Sequence, residues 1–132
     1  MTSPTAKLLF RPKHRLTHRR QFEAVHDARM KTPCGPLMIH SRRNGLEHPR
    51  LGMSIGRAFG GAVERNRLKR CLREAFRLMQ FDVPTSETLG SYDLLITARK
   101  HDDPGMEQYS TWMTEAIERL DREWRKREAR SS

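Results

Sequence analysis

The sequence has 132 residues, of which 36% are hydrophobic and 7% aromatic, so we expect one domain with a thin core. Its 26 Lys and Arg outnumber its 16 Asp and Glu, giving a net charge of +10. No apolar run approaches the roughly 20 residues of a membrane span. The apolar patch Leu8 to Phe10 is also shorter than the roughly 7 to 15 residues of a secretory signal. We therefore expect a cytoplasmic protein with no membrane partner.

The positive charge is concentrated in two segments of the chain. Residues 1–20 contain six basic and no acidic residues, and residues 57–77 contain seven basic and two acidic residues. The remainder is close to neutral, with 13 basic and 14 acidic residues. A surface that only confers solubility intersperses its charges, whereas clustered positive charge is typical of a site that binds phosphates. A polyanionic partner is expected.

The first half of the chain contains one predicted helix and two predicted strands. Thr17 is a candidate cap for a short helix that ends near Ala28. Alternating apolar residues predict strands over Leu37 to Arg42 and Leu51 to Ile55. Because Asn44 and Gly45 are typical turn residues, we expect these two strands to form a hairpin.

The second half contains two predicted helices with a strand between them. We predict a helix over Ala62 to Met79, a strand over Tyr92 to Ala98, and a long final helix after the loop Asp102 to Gly105. The final helix has one apolar stripe, which we expect to be core rather than a stacking platform for bases: Tyr109, Trp112, Met113, Ala116, Ile117, Leu120 and Trp124.

The helix Ala62 to Met79 is predicted to have two distinct faces. At about 100° per residue, one face is apolar and should be buried: Leu68, Leu72, Ala75, Phe76 and Met79. The opposite face, called here the basic face, comprises Arg65, Asn66, Lys69, Arg70, Arg73 and Arg77, with Arg67 just outside it. Arginine suits bidentate phosphate contacts. This segregation favours nucleic-acid binding over a merely solvated helix, and the modest apolar face argues against a membrane-surface helix.

Other kinds of chemistry find little support in the sequence. Cys34 and Cys71 have no metal-ligand or disulfide spacing, and the pair His14 and His18 lacks further ligands in its basic surroundings. Asp102-Asp103 fits a loop better than a magnesium site. No nucleophile with a paired base is recognisable. We expect no catalytic residue and no metal or cofactor bound by the protein.

The basic face also carries the motif of a known family. The element Arg65-Asn66-Arg67, extended by Leu68-Lys69-Arg70, Arg73-Glu74, Phe76 and Arg77, resembles the signature of the ribonuclease P protein family. The resemblance covers about residues 15–120 and includes Arg15-Leu16, Pro49 to Gly52, Ser54 and Tyr92 to Lys100.

The resemblance implies a fold and a division of the chain. The fold is an α/β two-layer sandwich of the ribosomal protein S5 domain 2-like type, with element order α-β-β-β-α-β-α and a left-handed crossover to the basic helix. It implies an additional short strand near Arg29 to Thr32. We expect a flexible basic arm over residues 1–14, one domain over residues 15–127 and a tail over residues 128–132.

The resemblance also implies a role. In this family an RNA subunit, using Mg²⁺, removes the 5′ leader of precursor tRNA, and the protein docks that RNA and holds the leader. RNA binding then falls on Arg57, Arg65, Asn66, Arg67, Lys69, Arg70, Arg73 and Arg77. The leader would lie in a cleft between the first helix and the open sheet face, at Phe22, Met38, His40 and Ser54. No obligate protein partner is expected.

Four residues depart from the family pattern and leave the base preference of the cleft open. His26 and His40 occupy positions where aromatic residues are frequent, Arg29 replaces a common glycine, and Ala58 replaces a frequent lysine. Two other functions stay open. One is a ribosomal or RNA-assembly protein that binds structured RNA, and the other is a DNA-binding regulator. The regulator is disfavoured because a strand and a glycine loop, rather than a helix and a turn, precede the basic helix.

Overall fold

The structure, a computed structural model, describes residues 12–131. Its helices are α1 (Arg19–Asp27), α2 (Ala62–Met79) and α3 (Met106–Ser131), and its strands are β1 (Lys31–Cys34), β2 (Leu37–Arg43), β3 (Arg50–Ser54) and β4 (Tyr92–Ala98). Short 3-10 turns lie at Pro12–His14 and Gln80–Asp82. The element order confirms the predicted α-β-β-β-α-β-α sequence. In the described part of the chain, no helix combines the length and apolarity needed to cross a bilayer.

The four strands form one mixed sheet in the order β1-β2-β4-β3. β1 and β2 are antiparallel, β2 and β4 are antiparallel, and β3 and β4 are parallel. The connection from β3 to β4 passes through α2, as parallel neighbours require a long crossover. The left hand of that crossover stays a prediction.

The predicted hairpin of Leu37 to Arg42 with Leu51 to Ile55 is wrong, because β4 lies between β2 and β3. Residues Tyr92–Ile96 of β4 are all buried, so this strand can pair on both edges in the middle of the sheet. The expected turn instead belongs to a longer loop. Gly45 donates its backbone N–H to Leu89 O at 3.2 Å, and Asn44 donates its side-chain amide to His48 O at 3.1 Å.

The main core lies between one face of the sheet and helices α2 and α3. The predicted apolar face of α2 is buried in full: Leu68, Leu72, Ala75, Phe76 and Met79. It meets Leu37, Ile39, Leu51, Leu94 and Ile96 of the sheet and Tyr109, Met113, Ala116, Ile117 and Leu120 of α3. Trp112 and Trp124 are partly buried against the same core, which confirms the predicted stripe. Each fully buried large side chain contributes about 1.5 to 3 kcal/mol.

Local hydrogen bonds shift several predicted boundaries. The N-cap of α1 is His18 rather than Thr17, because the Gln21 side chain accepts the backbone N–H groups of Thr17 and His18 at 2.8 and 2.9 Å. The strand expected at Arg29 to Thr32 begins at Lys31, since Arg29 has a left-handed φ of 51° that no strand accommodates.

The folded unit extends past the expected limits of residues 15 and 127. Most of the expected arm, residues 1–11, lies outside the described residues, whereas Pro12–His14 form a turn with His14 buried. At the other end, α3 continues to Ser131 through the expected tail. Glu128 belongs to the fold because its carboxylate accepts a hydrogen bond from Arg43 Nε at 2.9 Å.

Candidate nucleic-acid interface

The basic face of α2 lies on the surface, opposite the buried apolar residues of the same helix. Arg65, Lys69, Arg73 and Arg77 are half-buried, and Asn66, Arg67 and Arg70 are exposed. The predicted RNA-binding residues of this helix therefore share one side of the molecule. Their spacing of three and four residues produced this arrangement, because such residues are neighbours along a helix.

The cations of this face largely lack internal counter-ions. Within residues 12–131, no ion pair involves Arg65, Arg67, Lys69, Arg70 or Arg73. Like charges four residues apart destabilise a helix by about 0.2 to 0.5 kcal/mol per pair. A bound polyanion would remove this repulsion.

Arg77 differs from the other cations of the basic face. Its Nε donates to Glu74 Oε2 at 3.0 Å, and this hydrogen bond lowers the pKa of the Glu74 carboxyl group. A phosphate that bound Arg77 would have to compete with this carboxylate.

Arg57 lies in the loop between β3 and α2, and its side chain is exposed. Two backbone hydrogen bonds hold this loop, from Phe59 N–H to Gly56 O at 3.1 Å and from Gly60 N–H to Arg57 O at 3.2 Å. The loop connects the end of β3, at Ser54, directly to the start of the basic helix. Arg57 is therefore positioned between the helix and the second candidate surface.

The second surface is the sheet face opposite the main core, called here the open sheet face. Three residues of neighbouring strands lie side by side on it, because Met38 pairs with Thr97 and Thr97 pairs with Ser54. Met38 and Thr97 are half-buried and Ser54 is exposed. The next row along the strands, His40, Leu95 and Gly52, lies under α1, and Leu95 is buried there with Leu16 and Val25. The uncovered part of this face is therefore the row through Met38 and Ser54.

Phe22 of α1 forms one wall of this surface. Its ring packs against the small second core of Leu16, Val25 and Leu95 and lies over Gly52. A Cβ atom at residue 52 would come within 2.6 Å of Phe22 Cε1 and 3.0 Å of Leu16 Cβ. The absence of a side chain at Gly52 is thus what allows the Phe22 ring to approach the sheet.

His40 marks the side of the open sheet face next to β1. Its ring contacts the His26 ring edge to face, with centroids 4.6 Å apart. Burial lowers the pKa of His40, and the nearby His26 and Lys31 lower it further. The structure thus brings Phe22, Met38, His40 and Ser54 to one side of the sheet. Sequence analysis missed Thr97, although the alternation that buries Leu94 and Ile96 indicates that Thr97 faces the other way.

A buried ion cluster at the far end of the open sheet face was also missed. Asp93 is fully buried and accepts hydrogen bonds from Arg50 Nε at 2.7 Å, Arg42 Nε at 3.2 Å and Asn44 Nδ2 at 3.1 Å. The hydrogen bond with Asp93 raises the pKa of Arg50. This cluster joins β2, β3 and β4, so Arg42 and Arg50 are engaged within the fold. The signal in the sequence was an aspartate within an otherwise apolar strand.

The acidic loop before α3 and the Cys34 thiol have structural environments. Among the described residues, no group of three or more His, Cys, Asp or Glu could hold a metal ion. Burial raises the pKa of the Cys34 thiol to about 11, which makes it unreactive at neutral pH. Asp103 accepts the backbone N–H of Gly105 at 2.8 Å in the loop before α3, as a loop role predicts.

The fold is similar to solved structures of ribonuclease P proteins. An RNase P protein from Thermotoga maritima matches with a TM-score of 0.67 at 27% identity, covering 80% of this chain and 96% of that chain. An RNase P protein from Staphylococcus aureus matches with a TM-score of 0.67 at 21% identity, covering 80% of this chain and 93% of that one. The second match concerns the fold alone. Together they agree with the predicted two-layer α/β class.

Sequence comparison identifies relatives of the same family. The ribonuclease P protein component of Pseudomonas aeruginosa LESB58 is 47% identical over 88 residues, which are 65% of this chain and 61% of that protein. The corresponding protein of Pseudomonas putida GB-1 is 45% identical over 93 residues, 69% of this chain and 65% of that protein. The alignments thus span less than two thirds of these relatives. The family model "Ribonuclease P" matches residues 10–121, and the chain therefore belongs to the ribonuclease P protein family.

Proposed function

We propose that this chain is the protein subunit of a ribonuclease P ribonucleoprotein, in which it binds a catalytic RNA and the 5′ leader of precursor tRNA. In this role it promotes endonucleolytic removal of the leader. The observation that carries the proposal is a set of five cations on α2 that form no ion pair with any of residues 12–131: Arg65, Arg67, Lys69, Arg70 and Arg73. They lie on a helix of a chain that belongs to this family.

Docking of the catalytic RNA is assigned to α2 and the loop before it. An 18-residue helix is about 27 Å long, enough to meet several consecutive phosphates. The residues assigned to docking are Arg57, Arg65, Asn66, Arg67, Lys69, Arg70, Arg73 and Arg77. We expect Arg77 to contribute least, because Glu74 already occupies its guanidinium.

The 5′ leader is assigned to the open sheet face. Phe22 offers a ring for stacking, which is worth about 1 to 3 kcal/mol per base. Met38 and Ser54 provide a shallow floor, to which we add Thr97 because it lies between them in register. His40 borders the floor on the side of β1. Single-stranded RNA fits such a surface because its unpaired bases can stack and hydrogen-bond there.

Chemistry is assigned to the RNA rather than to the protein. Mg²⁺ bound by the RNA subunit would supply the ions for cleavage. The protein's contribution is to neutralise phosphates that repel each other when two RNA molecules approach. This contribution should matter most at low Mg²⁺ concentration. We propose a cytoplasmic location and no obligate protein or membrane partner.

Cleavage of precursor tRNA by the cognate catalytic RNA at low Mg²⁺, with and without this protein, tests the proposal. We expect the protein to stimulate formation of the mature 5′ end, and a protein that binds structured RNA without stimulating cleavage would instead be an RNA-assembly protein. The informative variant replaces Arg65, Lys69 and Arg73 with Gln, and we expect it to lose most of the stimulation. The matched control replaces Arg122, Lys126 and Arg130, three exposed cations of α3, in the same way.

A further inference from the structure

A depression between the end of α1 and the first two strands is lined by His26, Arg29, Lys31 and His40. Its volume is about 270 Å³. All four side chains can carry positive charge, and within residues 12–131 no carboxylate lines the depression. Lys31 lies directly opposite His40 in the β1–β2 pairing, so their side chains are close neighbours on one face of the sheet.

Arg29 reaches this depression from a strained backbone. Its φ is 51°, and among the described residues it is the single non-glycine residue with a positive φ. The backbone is held there by Arg127, whose guanidinium donates to Ala28 O at 2.7 Å and Arg29 O at 3.2 Å. A glycine would adopt this conformation without strain but would bring no charge. A strained residue that adds a cation to a cationic pocket indicates a site for an anion.

The other charged groups nearby leave the depression positive. Asp27 is exposed and does not line it, and Glu23 accepts a hydrogen bond from Arg19 at 2.9 Å. On the sheet, Arg42 is bound to Asp93. Arg127 of α3 adds a further positive charge beside the carbonyl groups of residues 28 and 29. Protonation of the two imidazoles would therefore increase repulsion unless an anion occupied the depression.

We propose that His26, Arg29, Lys31 and His40 form a binding site for a phosphate group of the RNA backbone, with tighter binding in mild acid than at neutral pH. This proposal rests on the proposed function, because the site would hold the RNA backbone where it continues along the open sheet face beyond Met38. A phosphodiester keeps its negative charge at both pH values, so the change in affinity comes from the imidazoles. Recognition of phosphate rather than of a base makes the site indifferent to leader sequence at this position.

The test follows the imidazole resonances of the full-length protein by NMR during pH titration. The probes are a single-stranded oligonucleotide, an abasic oligonucleotide of the same length, and inorganic phosphate. We expect both oligonucleotides to raise the titration midpoints of His26 and His40 by about one pH unit. For each histidine, this rise means that the oligonucleotide binds about tenfold more tightly when the imidazole is protonated than when it is neutral. Unchanged midpoints with the oligonucleotides bound would overturn the proposal. Midpoints that rise with inorganic phosphate but with neither oligonucleotide would also overturn the proposal, because the site would then bind free anions and not RNA.

Two variants separate a binding role from a structural one. The double variant His26→Gln and His40→Gln should bind the oligonucleotide with equal affinity at pH 5.5 and 7.5, whereas the control His18→Gln should retain the wild-type difference. Arg29→Gly relieves the backbone strain and should weaken binding at both pH values, lowering the salt slope by about one unit. If the double variant keeps the pH dependence, or if Arg29→Gly leaves the slope unchanged, the site is not where we infer it.

The failure of this inference is distinguishable from failure of the proposed function. Stimulated cleavage of precursor tRNA together with unshifted histidine midpoints would remove the phosphate site and leave the subunit assignment intact. Shifted midpoints without stimulated cleavage would support the phosphate site and remove the subunit assignment.

Discussion

Arg50 and Asp93 form a two-point ion pair inside the fold, with Nε–Oδ1 and Nη2–Oδ2 distances of 2.7 and 2.8 Å. The pair ties β3 to the central strand β4 on the same side of the sheet as the candidate leader surface. Arg42 of β2 donates to the same carboxylate, so the cluster links the three strands that carry Met38, Thr97 and Ser54.

Asp93→Asn should lower the free energy of unfolding by about 3 kcal/mol, because it leaves two guanidinium groups without their buried counter-ion. Urea denaturation measures the change. Glu123→Gln, which removes a carboxylate from an exposed pair with Lys126, is the control and should change the free energy by less than about 1 kcal/mol. An equal effect of the two substitutions would contradict a structural role for the cluster.

Gly52→Ala should destabilise the protein by about 1 to 3 kcal/mol, since the new methyl group would overlap Phe22 and Leu16. Displacement of the Phe22 ring should also weaken binding of a single-stranded leader oligonucleotide. Gly56→Ala is a matched control, because a Cβ atom there meets nothing within 4 Å. Both quantities can be measured on the same samples, by denaturation and by fluorescence anisotropy. Wild-type leader affinity in Gly52→Ala would show that Phe22 is not part of the cleft.

The salt dependence of binding to the catalytic RNA reports how many phosphates the basic face contacts. Replacing Arg65, Lys69 and Arg73 with Gln should reduce the slope of log K against log salt by about two to three units. The substitutions at Arg122, Lys126 and Arg130 should leave the slope within error of wild type. A slope that the first set does not change would mean that the basic face is only solvated.

Acid should weaken the free protein through His40. Burial and the charges of His26 and Lys31 lower the pKa of His40 in the folded state, so the unfolded chain binds its proton first as pH falls. The free energy of unfolding should therefore decrease as pH drops below about 6.5, the ordinary value for histidine, until His40 is protonated in the folded state as well. Denaturation curves between pH 7 and 5 measure this. His40→Gln should flatten the dependence and His18→Gln should not, and identical curves for both variants would refute the assignment to His40.

Local patterns predicted the parts of the fold that depend on neighbouring residues. The helical period of Leu68, Leu72 and Phe76 determined which face of α2 is buried, and the same period determined the exposure of Arg70. Strand β4 was predicted at its observed bounds because five of its seven residues are apolar over a full strand length: Tyr92, Leu94, Leu95, Ile96 and Ala98.

Features that depend on long-range pairing could not be predicted in the same way. The hairpin prediction failed because β2 and β3 are consecutive in the sequence, with turn residues between them. Nothing in that local pattern indicates that β4 lies between them in the sheet. Thr97 joins Met38 and Ser54 only through that pairing. The depression around His40 includes Arg29, whose backbone is left-handed. The sequence indicated this conformation only indirectly, through the glycine that is common at this position in the family.

The most direct test of the central proposal is single-turnover cleavage of precursor tRNA by the cognate catalytic RNA at low Mg²⁺. With wild-type protein we predict a large increase in the rate of 5′-leader removal, retained by the Arg122, Lys126 and Arg130 control. The variant lacking Arg65, Lys69 and Arg73 should give a rate close to that of the RNA alone. Equal rates with wild-type protein, with the basic-face variant and without protein would contradict the proposal that this chain serves catalysis by docking the RNA.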